Sequence, residues 1–132
     1  MGTNFYLQRK VNAEGRRHDL HICKLSGGWT PSMQAYAMYD HEPTIKTWFD
    51  WKMFLRNEIK NNEGLIFNEY DEYIPYDVFV KKIEEWQAYG IANNYSNHAR
   101  CANEGQFGND FTYNIDCWVD PQGYSFNLRD FS

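Results

Sequence analysis

The sequence contains no run approaching the ~20 consecutive apolar residues that a membrane span needs. Its opening, MGTNFYLQRK, lacks the apolar core of a secretion signal. Position 6 is Tyr where the myristoylation pattern requires Ser or Thr. Cysteine is scarce: Cys23, Cys101 and Cys117 are odd in number, and none forms a Cys-x-x-Cys pair. The expectation is a reduced, cytoplasmic chain with no membrane anchor. Basic charge is short as well. Thirteen Lys and Arg against eighteen Asp and Glu leave a net charge of −5. That argues against general affinity for nucleic acid, which needs a basic face to displace counterions. The carboxylates are not dense enough for a DNA mimic either. No G-x-x-x-x-G-K-[ST] phosphate loop is present.

Aromatic residues, by contrast, are plentiful. Ten Tyr, nine Phe and five Trp in 132 residues are enough to build a core from large rings without disulfide staples. The length fits a single domain over residues 1–132.

Residues 3–10 alternate as a strand, with Phe5 and Leu7 on one face and Tyr6 and Gln8 on the other. Residues 11–18 read as a turn. A second strand over residues 19–25 places Leu20, Ile22 and Lys24 on one face and His21, Cys23 and Leu25 on the other. Ser26-Gly27-Gly28 ends that strand, because glycine takes positive φ at no steric cost. A third strand is expected from Trp29 to Tyr39. Helical spacing of Ile45, Trp48, Trp51 or Lys52, Leu55 and Ile59 predicts a helix over 44–60, capped by Thr44 and left through Gly64. A short strand is expected at Leu65 to Phe67. Pro75 opens a second helix carrying the stripe Tyr76, Phe79, Val80, Ile83 and Trp86, ended by Gly90. Residues 90–112 read as a long Asn- and Gly-rich loop. Asp120-Pro121-Gln122-Gly123 is a turn between two alternating runs, with Tyr124, Phe126 and Leu128 pointing one way and Ser125, Asn127 and Arg129 the other. The expected fold is α+β: a single antiparallel sheet of five to six strands with two helices packed on one face.

The densest constellation of chemistry-bearing residues is His21-x-x-Lys24-x-Ser26-Gly27-Gly28-Trp29. Lysine supplies a cation, serine a hydroxyl, and successive glycines let backbone N–H groups converge on an anion. Tryptophan offers a face for a base to stack on. Together with Tyr6 and Tyr124, these residues suit a nucleotide-like or phosphorylated small ligand; a tight turn beside a buried Trp29 explains them equally well. Glu69, Tyr70, Asp71, Glu72 and Tyr73 form an acidic-aromatic segment that suits docking on a basic protein, or simply a solvated face. Further acids stand at Glu84 and Glu85, and a short basic run at Arg16-Arg17-His18 precedes the second strand. His18, His21, Cys23, His98 and Cys101 have no zinc-finger spacing. Cys23 with His21 as base lacks a visible thiolate-stabilising site. No metal site, cofactor or catalytic residue is therefore assigned. A nucleotide-processing enzyme with His21 as acid or base stands as a third class.

Three segments in order, MGTNFYL, HICKLSGGW and DPQGYSFNLRDFS, carry a resemblance that covers nearly the whole chain. The sequence resembles a family of short proteins encoded by phages, prophages and some bacteria. Members begin MGTN-[FY], carry H-I-x-K-x-S-x-G-W, and end in a G-Y-x-F hairpin. Many relatives place a Cys-x-x-Cys pair before the HI-K motif; here that stretch is VNAEGRRHD, and the small residue between Ile and Lys is Cys23. The family has no settled activity, so the resemblance implies a source, not a reaction. It implies a phage accessory protein of counter-defence type acting in the host cytoplasm, either by capturing a nucleotide-type ligand or by occupying a host protein.

Overall fold

The computed structural model describes residues 2–10, 17–36, 44–95 and 117–128, with backbone alone at 9, 10 and 17–19. The elements are β1 (Gly2–Lys10), β2 (Arg17–Ser26), β3 (Ser32–Gln34), α1 (Trp48–Asn61), β4 (Leu65–Asn68), β5 (Tyr73–Ile74), α2 (Tyr76–Ala92), β6 (Cys117–Val119) and β7 (Ser125–Asn127). The strands form one seven-stranded sheet in the order β5-β4-β1-β2-β3-β7-β6. The fold is α+β, as the patterning predicts, but the sheet is larger than expected and mixed. β3 and β7 run parallel, pairing Met33 with Phe126, while every other pair is antiparallel. Strands distant in sequence meet here, so no local turn signal announced the pairing.

A β-bulge organises the centre of the sheet. Phe5 pairs with Cys23 but Tyr6 pairs with His21, so β2 carries one extra residue at Ile22. Strict alternation would put His21, Cys23 and Leu25 together. Instead Leu20, Ile22, Cys23 and Leu25 are all buried in the core, while His21 and Lys24 are half-exposed on the opposite face. The extra residue resets the phase midway along the strand.

Both helices supply this one core. Trp48, Trp51 and Leu55 of α1 and Phe79 and Ile83 of α2 are fully buried with Phe5, Leu7, Ile66, Met33 and Phe126. Phe79 lies 5.4 Å from Phe5 between ring centroids, and Trp48 stacks on Tyr124 at the same distance. Between the helices, the Lys52 ammonium meets Glu84 at 2.9 Å, and the Trp48 indole donates to the same carboxylate oxygen. Partial burial works against the Glu84 charge, but these two donors more than offset it and hold the carboxyl below its usual range.

Element ends differ from the sequence reading in several places. β3 covers Ser32–Gln34, starting after Pro31 and not at Trp29; Tyr36 pairs with Ile45 in an isolated bridge, and residues 37–39 of the expected strand lie outside the described residues. Helix α1 begins at Trp48 with Thr47, not Thr44, as cap: the Thr47 hydroxyl accepts from Asp50 N at 3.0 Å. The left-handed residue after α1 is Glu63 at φ 58°, not Gly64, whose own value is a tight fit against Glu58 and Leu7. Gly90 lies inside α2, which continues to Ala92; a Cβ there would come within 3.1 Å of Thr30 Cγ2, so its smallness serves a close approach. Loop residues 96–112, with His98 and Cys101, lie outside the described residues.

Asp120 ties the C-terminal hairpin to α1. One carboxylate oxygen accepts from Trp48 N at 2.7 Å, at the positive end of the helix; the other accepts from Gln122 N and Tyr124 N at 2.9 Å. Asp120 is buried, so its loss strands three donors. Asp120→Ala is expected to lower stability by about 3 kcal/mol in urea unfolding, and Asp120→Asn by less, because the amide keeps one acceptor.

Candidate functional site

Among the described residues, those singled out in the sequence fall on both faces of the sheet and at its corner. Tyr124 is buried on the helix side of the sheet, its hydroxyl pushed up in pKa first by desolvation and then by Glu84 and Asp120. Tyr6, His21 and Lys24 lie on the other face. Gly27, Gly28 and Trp29 stand at the exposed corner after β2, where Gly2 packs so closely on Ser26 that a Cβ would meet its Oγ at 2.5 Å.

His21 belongs to a polar relay across the sheet. Asn4 donates from its backbone N at 2.7 Å and from Nδ2 at 2.9 Å to one Glu69 oxygen, which leaves Asn4 Oδ1 facing His21 Nε2 at 2.8 Å. Gln34 spreads its Nε2 protons over the carbonyls of Ala35, Asn127 and Leu128, which leaves Oε1 facing His21 Nδ1 at 3.4 Å. Both neighbours present acceptors, so both contacts are hydrogen bonds at once only when both ring nitrogens carry protons. The Tyr6 ring lies 5.2 Å from the imidazole, within reach of a cation. His21 is thus held on both nitrogens inside the protein. Cys23 faces the opposite side, fully buried, and burial pushes its thiol pKa up, so the bulge separates the imagined nucleophile from its base. Cys117 is buried and disulfide-bonded, with its partner sulfur outside the described residues. The expectation of three reduced thiols fails there, because spatial reach and not linear spacing decides a disulfide.

The concave feature at the glycine corner is a groove of about 570 Å³ along α2. Gly27 lines it together with Lys81, Lys82, Glu85, Trp86, Tyr89 and Tyr95. Helix α2 has two stripes. Phe79, Ile83, Gln87 and Gly90 face inward, and Val78, Lys81, Lys82, Glu85 and Tyr89 face out. The corner is pinned to the helix. The Trp86 indole donates to Trp29 O at 3.0 Å, and Trp29 N donates to Ser26 O at 3.2 Å with Gly28 at φ 83°, the signature of a type II turn. Tyr89 and Tyr95 meet edge to face at 5.6 Å. Among the described residues neither lysine has an ion-pair partner. The volume falls within the ~300–1,000 Å³ of small-ligand sites. Sequence reading assigned the lysines to no role and Trp86 to the core, since the tertiary approach of the turn to α2 is what makes them a wall.

The acidic-aromatic segment is a preformed turn. Asn68 Oδ1 accepts from Tyr70 N and Glu72 N at 2.9 and 3.0 Å, its Nδ2 donates to Glu72 Oε1 at 2.6 Å, and Asp71 takes φ 64°. Tyr70 and Tyr73 stand out at 65% and 54% exposure. Among the described residues no group of three His, Cys, Asp or Glu could hold a metal ion. No described helix is long and apolar enough to cross a membrane.

Gly28→Ala is expected to destabilise by roughly 1 kcal/mol through its left-handed backbone. Gly27→Ala, with open space around its Cβ, should stay within about 0.5 kcal/mol of the parent in the same denaturation series. Hydrogen bonds from Asn4, backbone first, hold the Glu69 carboxyl below its usual range, helped by Lys24. A lowered folded-state value means its contribution is complete above the ordinary carboxylate range and lost as pH falls through the folded value. The urea midpoint should therefore fall below about pH 4.3, and Glu69→Gln should flatten that limb. No protein-family model, curated protein or solved structure matches this chain.

Proposed function

We propose that the protein binds a nucleotide-like, phosphorylated small ligand in the groove between the Ser26–Trp29 turn and α2. The observation that carries this reading is two lysines without ion-pair partners among the described residues, Lys81 and Lys82, set beside Trp86, Tyr89 and Tyr95 in one concave site. Phosphate needs a cation, and a base needs a π-face; the groove offers both. The site moves from the Lys24 side of the corner to the α2 side, with Gly27 common to both readings. The setting, a phage accessory protein of counter-defence type that sequesters such a ligand, rests on the resemblance of the three sequence segments.

Thermal unfolding against a panel of mono-, cyclic and ADP-ribose-derived nucleotides tests it. A ligand at 100 times its Kd should add ~2.7 kcal/mol. Lys81→Glu with Lys82→Glu should abolish the gain without lowering the ligand-free midpoint by more than about 0.5 kcal/mol, both side chains being exposed. No response to any nucleotide sinks the reading.

A second reading is favoured by the Asn68-pinned turn. A rigid, projecting Tyr70 with acids around it loses little freedom on docking, which is what an inhibitor of a basic host enzyme requires. Tyr70→Ala with Asp71→Asn should release any stoichiometric protein recovered from host lysate while leaving mononucleotide binding intact.

A further inference from the structure

The groove is one of two adjoining depressions along α2. The second, of about 350 Å³, lies between α2 and the β1, β2 and β4 end of the sheet. Lys82 and Trp86 line both. The lining of the second combines the part-exposed Thr3 and Ile74, the core residues Phe5 and Leu25, and Asn68, Tyr70 and Glu72. The two segments that seemed alternatives in the sequence, the glycine corner and the acidic-aromatic turn, therefore border two depressions that share Lys82 and Trp86.

We infer that the site is bipartite and takes a ligand with two base-bearing units joined through phosphate. This rests on the nucleotide-binding reading and extends it. Lys82, at the junction, meets the linking phosphate as a point charge, with Lys81 beside it. One base stacks among Trp86, Tyr89 and Tyr95. The other lies against Ile74 and Tyr70, where the Glu72 carboxylate accepts from its exocyclic amine. Glu72 is held for this by Asn68 Nδ2 at 2.6 Å, so its position is set before a ligand arrives. A mononucleotide fills one end and leaves the other wet. Joining two halves makes the second contact intramolecular and raises affinity without a new kind of interaction.

Calorimetric titration of the full chain with AMP and GMP, against the linear dinucleotides pApA and pGpG, tests the inference. At least one dinucleotide should bind tenfold or more tighter than its mononucleotide. Tyr70→Ala and Glu72→Gln should bring the dinucleotide down to the mononucleotide affinity and leave the mononucleotide unchanged. Lys82→Ala should weaken both. Unfolding midpoints confirm that each variant is folded; Tyr70, Glu72 and Lys82 are all exposed. Equal binding of mononucleotide and dinucleotide, or a dinucleotide indifferent to Tyr70 and Glu72, overturns the bipartite site while the simple groove stands. No binding of any of the four overturns both.

Discussion

One extra residue in β2 sets which side chains of the central strand face the core. Side chains alternate along a strand, so a single-residue change of phase exchanges core and surface from that point on. With Ile22 inserted opposite the Phe5–Tyr6 step, Leu20 and Ile22 before the bulge and Cys23 and Leu25 after it share the helix-facing side. The core rings of Phe5, Trp48 and Phe79 close on that surface. The same shift gathers Asn4, Tyr6, His21 and Gln34 on the reverse side, where they exchange hydrogen bonds and ring contacts. Polar groups that cannot sit in an apolar core are thereby given partners.

The groove follows from how α2 is anchored. The helix is fastened at three heights: Glu84 to Lys52 and Trp48, Gln87 to Gly123 O at 2.9 Å, and Gly90 against Thr30. Its outer stripe is left to solvent, with cations and rings at adjacent turns. The flanking walls are turns closed by their own hydrogen bonds, Ser26–Trp29 on one side and Asn68–Glu72 on the other.

Much of the architecture was legible as pattern. The inward stripe Phe79 and Ile83, the strand alternation at Phe5 and Leu7, and the hairpin at Pro121-Gln122-Gly123 all rest on local periodicity or turn chemistry, and each stands where expected. The misses have nonlocal causes. Gly90 reads as a helix stop when its neighbours along the chain are considered, but it is a contact point for Thr30, sixty residues earlier in sequence. Tyr124 belongs by motif to the glycine corner and by packing to Trp48. Trp86 counts as core by spacing, yet its indole edge faces the corner and its ring walls the groove.

The residues alone determined the class of fold, the aromatic core and the glycine corner, because periodicity, ring content and positive-φ tolerance are properties of short stretches of chain. Which side of β2 holds His21, that β3 and β7 run parallel, and that Lys82 stands between two turns some forty residues apart were decided only by tertiary structure. Each depends on which strand edge meets which, and on where a helix can approach closely, and those contacts are chosen by the packing of the assembled core.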